Sequence, residues 1–109
     1  MLFLKTLMNR RILLFALCLF LLTACASAPV QEMSDARQAL RSAEVAGAAQ
    51  FSPAEFDSAK NSLRKASEWL DRGLYRNARI HALTAREQAI EAREAALRAD
   101  HEHTSEHAP

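Results

Sequence analysis

The sequence predicts an all-α fold: a small antiparallel, alanine-rich three-helix bundle, made of a helical hairpin plus a helix N-terminal to it, behind an N-terminal leader. Three observations carry this. The chain has 109 residues, half of them hydrophobic, which is one small domain and too short for most enzyme folds. Between residues 32 and 99, apolar and small residues recur at alternating spacings of three and four, the period of a helix with one buried face. Pro53 and Gly73, helix start and stop signals, fall between these stretches.

The leader comes first. Lys5, Arg10 and Arg11 precede an uninterrupted apolar run from Ile12 to Leu22, the charged-then-apolar order of a secretory signal peptide. Such a run rises about 16 Å as a helix, roughly half of a bilayer core, so it is no ordinary membrane span. Leu22-Thr23-Ala24-Cys25 follows, an aliphatic residue, two small residues and a cysteine. This resembles the lipobox of bacterial lipoproteins. The resemblance implies that residues 1–24 are cut off, with Leu22, Thr23 and Ala24 recognised by the signal peptidase. It also implies that the Cys25 sulfur carries diacylglycerol and its new amine an acyl chain, and two or three such chains hold a protein on a membrane essentially permanently. By the same resemblance, Ala26 and Ser27, with no Asp after the cysteine, imply sorting to the outer membrane of a Gram-negative cell, in its inner leaflet and facing the periplasm. Cys18 would leave with the leader, so no thiol would remain for a disulfide, a metal or nucleophilic chemistry.

Residues 25–31 then read as the lipidated cysteine and a short tether containing Pro29. In the helical domain, 32–99, the first helix shows Met33, Ala36, Leu40, Ala43 and Gly47 on one stripe, with Ser34 and Asp35 as plausible caps. The second starts at Ser52-Pro53-Ala54-Glu55. Ser52 is placed to cap Glu55, Glu55 to return a bond, Pro53 to occupy the first helical position, and Phe51 and Phe56 to form a hydrophobic staple. Its stripe is Phe56, Ala59, Leu63, Ala66 and Leu70, flanked by Trp69, and Gly73 is the left-handed residue that stops it. The third and longest helix carries Tyr75, Ala78, Ala82, Ala85, Ala89, Ala92 and Ala96 on one stripe. Leu83, Ile90 and Leu97 form a second stripe at intervals of seven, with Arg79, Arg86 and Arg93 alongside. Glu68 with Arg72 and Glu94 with Arg98 have the spacing of favourable i,i+4 pairs. Alanine at most inner positions allows close helix approach but limits the apolar area buried. The Leu83, Ile90 and Leu97 stripe is therefore either covered by the first helix or completed by a partner or a second copy.

Residues 100–109 lose the apolar rhythm and read as a disordered His-rich tail. His101, His103 and His107 are candidate ligands there for zinc, nickel or copper, as neutral imidazoles suit those ions. The folded part offers His81 as its one imidazole, at a boundary position, and none of the nucleophile, metalloprotease or phosphate-loop motifs, so no catalytic residue, small-molecule substrate or cofactor is expected. Three of the 14 basic residues precede Cys25 and all 13 acidic ones follow it, which leaves the rest of the chain slightly negative and a poor partner for nucleic acid.

From Ala36 to Ala96 the chain carries Ala46-Gly47-Ala48, Phe51-Ser52-Pro53-Ala54-Glu55 and Gly73-Leu74-Tyr75-Arg76-Asn77-Ala78 in that order. In this it resembles the proteobacterial lipoproteins with the domain of unknown function 4398, with Phe51 where that family commonly has Tyr and the His-rich tail outside its pattern. That family has no established activity, and its relatives are often fused to or encoded beside outer-membrane-protein-A-like domains that grip peptidoglycan, which implies a role in the cell envelope. The hairpin also looks like one tetratricopeptide unit, without the second copy such repeats need. The expectation is a non-enzymatic, lipid-anchored periplasmic module that binds an envelope protein, such as one that itself binds peptidoglycan, or a second copy of itself, through Leu83, Ile90 and Leu97. The alternative is divalent-metal binding through the tail.

Overall fold

The computed structural model describes residues 1–24 and 28–107 and is all-helical, with no strand among the described residues. Five helices follow one another: α1 (Leu2–Ala24), α2 (Val30–Val45), α3 (Ala48–Phe51), α4 (Pro53–Asp71) and α5 (Tyr75–Glu106). The described residues span 89 × 34 × 14 Å, an elongated shape. The apolar side chains of α1 from Leu2 to Leu21 are exposed and α1 packs on none of the other helices. Among the described residues no helix is long and apolar enough to cross a membrane.

The remaining helices are organised by α5. Its inner side is made only of alanine: Ala78, Ala82, Ala85, Ala89, Ala92 and Ala96 are all fully buried. Because α5 contributes only a methyl group at each of these positions, α2 and α4 settle close along this stripe. The stripe of α2 that meets them is Met33, Ala36, Leu40 and Ala43, and that of α4 is Phe56, Ala59 and Ala66, with Leu63 and Leu70 half-buried. Leu40, Ala43, Ala48, Phe56, Ala59, Ala89, Ala92 and Ala96 form one apolar cluster, and Met33, Ala66 and Ala82 form the other. Cross-links between side chains set the directions. Arg79 Nε donates to Glu32 Oε1 at 3.0 Å, joining the two N-terminal ends, so α2 and α5 run parallel. Ser62 Oγ donates to Gln88 Oε1 at 2.6 Å, at the middle of α4 and α5, which run antiparallel.

Two glycines make the turns. Gly73, at φ +74°, ends α4 in the expected left-handed conformation, with the Leu74 N–H on Trp69 O and the Gly73 N–H on Leu70 O, both at 3.0 Å. Gly47, at φ +86°, does not continue the α2 stripe as the spacing suggested; it terminates α2, and its N–H donates to Glu44 O. The single turn of α3 then fits into the connection.

The Ser52 capping box is not formed. Pro53 does open α4, but the Ser52 hydroxyl makes no capping bond. It is instead 4% exposed and donates across the structure to Ala92 O at 2.6 Å, because α3 brings Ser52 onto α5. A buried hydroxyl must find an acceptor, and the α5 carbonyl is the nearer one. Helix α2 begins at Val30, before Ser34 and Asp35, with Pro29 fully buried at its N-cap, so the packed structure reaches into the residues read as tether. Of the expected i,i+4 pairs, neither Glu68 with Arg72 nor Glu94 with Arg98 forms an ion pair; Arg72 lies over the Trp69 ring instead, at 5.5 Å.

The tail is the largest departure. Helix α5 runs without a break from Tyr75 through Glu106, so residues 100–106 of the segment expected to be disordered are helical. Thr104 and Ser105 return their hydroxyls to Asp100 O and His101 O, and the His103 ring lies 6.2 Å from Phe51, which gives the extension a tertiary contact.

The turns give a first prediction, read by urea unfolding followed by circular dichroism. Gly73→Ala places a Cβ in open space but at positive φ and lowers stability by about 1 kcal/mol, whereas Gly47→Ala adds a 3.0 Å approach to Phe51 Cδ2 and costs about 2 kcal/mol or more. A second concerns the alanine stripe. Ala89→Leu overpacks the junction and costs about 2 kcal/mol or more, while trimming its exposed neighbour, Ile90→Ala, costs less than about 1 kcal/mol.

Candidate interaction surface

Helix α5 buries its small residues and shows its large ones. Leu83, Ile90 and Leu97 are 47%, 41% and 37% exposed. At 100° per residue their column lies roughly 120° around the helix from the centre of the alanine stripe, beyond the reach of α4 and past the edge of α2. The first helix of the domain therefore does not cover them. Helix α2 occupies the arginine side: Glu32 holds Arg79, and a groove lined by Asp35, Gln38, Ala39, Ser42, Arg86 and Ile90 runs between α2 and α5. On the other side of the column stand Glu87 and Glu94, one turn beyond Leu83 and Ile90. A shallow depression there is lined by Leu83, Arg86, Glu87, Ile90 and Glu91.

Ile80, 52% exposed, extends the apolar patch toward the N-terminus of α5. The seven-residue stripe does not contain it. The rhythm 80, 83, 87, 90, 94, 97 does, and would have disclosed it along with the acidic flank.

The histidines divide. His103 and His107, four residues apart, share the side of α5 that faces Phe51, with 6.4 Å between their rings, whereas His101 follows Leu97 by four residues onto the outer face. Among the described residues no group of three His, Cys, Asp or Glu side chains is placed to hold a metal ion. His81 is half-buried and stacked on Trp69, ring centroids 6.4 Å apart and planes within 3°, with Arg72 on the same indole. This stack was not foreseen; the four-residue gap from Trp69 to Gly73 and the antiparallel return place these rings together. Cys25 lies outside the described residues, as do the side chains of Leu22, Thr23 and Ala24, and Cys18 is an exposed free thiol on α1.

Comparison with known proteins gives one match. No curated protein and no solved structure matches the chain. The family model of the domain of unknown function DUF4398 does match, over residues 31–108. The match begins at the first turn of α2 and takes in α3, α4 and all of α5, so the histidine segment read as lying outside the family pattern falls inside the matched region. With most of its length and every packed helix inside that match, the chain belongs to the family defined by the domain of unknown function DUF4398.

Proposed function

We propose that this protein is a non-enzymatic interaction module of the bacterial cell envelope, a small antiparallel three-helix bundle of α2, α4 and α5 that binds another protein through the outer face of α5. The observation that carries the reading is the exposed column of Leu83, Ile90 and Leu97 on a helix whose buried side is alanine alone. A helix that leaves its largest aliphatic residues in water, in a line and beside ordered charge, has a surface built for contact. The domain is carried on a membrane through acyl chains on Cys25, released from a leader comprising residues 1–24, in the inner leaflet of the outer membrane and facing the periplasm. Supporting the anchor are the lipobox-like run Leu22-Thr23-Ala24-Cys25 and the apolar, unpacked α1 before it. The module needs no cofactor beyond that covalent lipid.

The test is capture of partners by in-cell crosslinking of the full chain, read by mass spectrometry. Leu83→Glu and Leu97→Glu each abolish the association and leave the helical circular dichroism of wild type, because both side chains are exposed. Retention of every partner by both variants would refute the docking face. The anchor is checked separately: Cys25→Ala abolishes labelling by radioactive palmitate and shifts the protein from the membrane to the soluble fraction.

A further inference from the structure

We infer that the occupant of the α5 face is a second copy of this chain, packed parallel and in register about a two-fold axis that runs along α5. The inference deepens the proposed function and rests on its reading of that face as a docking surface.

The charge pattern selects both the partner and its direction. Leu83 and Ile90 are each followed three residues later by an arginine, Arg86 and Arg93, and four residues later by a glutamate, Glu87 and Glu94. On a helix these positions lie on opposite flanks of the apolar column, so over these two heptads one edge is basic and the other acidic; after Leu97 the same positions are Asp100 and His101. Among the described residues none of Arg86, Arg93, Glu87 and Glu94 has an ion pair within its own chain. When two parallel copies meet column to column, the two-fold axis sets the basic edge of each against the acidic edge of the other. Arg86 then faces Glu87 of the second copy and Arg93 faces its Glu94, one residue apart and hence about 1.5 Å different in height. Reversing one copy sets arginine against arginine and glutamate against glutamate. The face is therefore self-complementary in the parallel arrangement and self-repelling in the antiparallel one.

The column repeats every seven residues, and its drift of about 20° per heptad on a straight helix is taken up by a left-handed crossing of the pair. Arg76 and Thr104, one heptad beyond each end, confine the seven-residue column to Leu83 through Leu97, about 21 Å of helix. Three aliphatic residues per copy make a small interface, weak between freely diffusing molecules. Parallel packing puts the N-terminal ends of both α2 helices on the same side, as two chains held by one membrane require, and co-anchoring raises the effective concentration that such an interface needs.

The experiment is disulfide trapping of the full chain in the membranes of Gram-negative cells, on a Cys18→Ser background, read by non-reducing electrophoresis. Leu83→Cys, Ile90→Cys and Leu97→Cys should each give a covalent dimer on oxidation, while Lys65→Cys, on the exposed side of α4, should not. Arg86→Glu together with Arg93→Glu should lower the yield at Ile90→Cys about tenfold, and adding Glu87→Arg and Glu94→Arg should restore it. Dimer at Ile90→Cys alone would show an antiparallel pair and overturn the inference, as would failure of the fourfold charge exchange to rescue. Adducts of a different mass at the three positions, without dimer, would overturn the second copy and leave the docking face standing. No adduct of any kind at the three positions would overturn both.

Discussion

The close approach of α2 and α4 to the alanine stripe of α5 is the constraint on which the rest of the structure depends. Six fully buried methyl groups contribute little apolar area each, so the stabilisation comes from fit along a long seam. The larger contributors, Met33, Leu40, Phe56 and Leu63, come from the flanking helices and occupy the space that the small α5 side chains leave. A larger side chain on the α5 stripe would separate the helices along the whole seam.

The connection between α2 and α4 follows from the same closeness. Gly47 stops α2 and turns the chain, and Phe51 folds back so near that a Cβ on Gly47 would touch its ring. That fold carries Ser52 onto α5, where its hydroxyl donates to the Ala92 carbonyl; an alanine at 92 leaves the backbone open to such an approach. Phe51 at the same time meets His103 and ties the far end of α5 into the domain. One short turn thus ends a helix, pins a second to the seam and supports the last turns of a third.

The outer side of α5 reverses the usual distribution of size. Large aliphatic residues face water and small ones the interior, with arginine and glutamate in separate lines at either edge. Arg86 borders the groove beside α2, but among the described residues none of Arg86, Arg93, Glu87 and Glu94 has an ion pair within the chain. A face so ordered and so little used within the chain is what gives the docking proposal its direction.

Helix identity and inward register were determined by the sequence alone. Met33, Ala36, Leu40 and Ala43, Phe56, Ala59 and Ala66, and every alanine from Ala78 to Ala96 in the stripe are buried as the periodicity requires, because a 3.6-residue period fixes which side chains share a face before any partner is present. Pro53 and Gly73 were legible for the same reason: their backbone preferences are local. Of the candidate site, the column Leu83, Ile90 and Leu97 was legible, while its exposure was not, since a wide apolar face does not say how far round it the neighbouring helices reach. Tertiary structure decided that, and it decided two more things: that the Ser52 hydroxyl reaches Ala92 O and does not cap α4, and that residues 100–106 stay helical. Both depend on what lies across the gap, the Ala92 carbonyl or the Phe51 ring from elsewhere in the chain, and no local pattern of residues carries that distance.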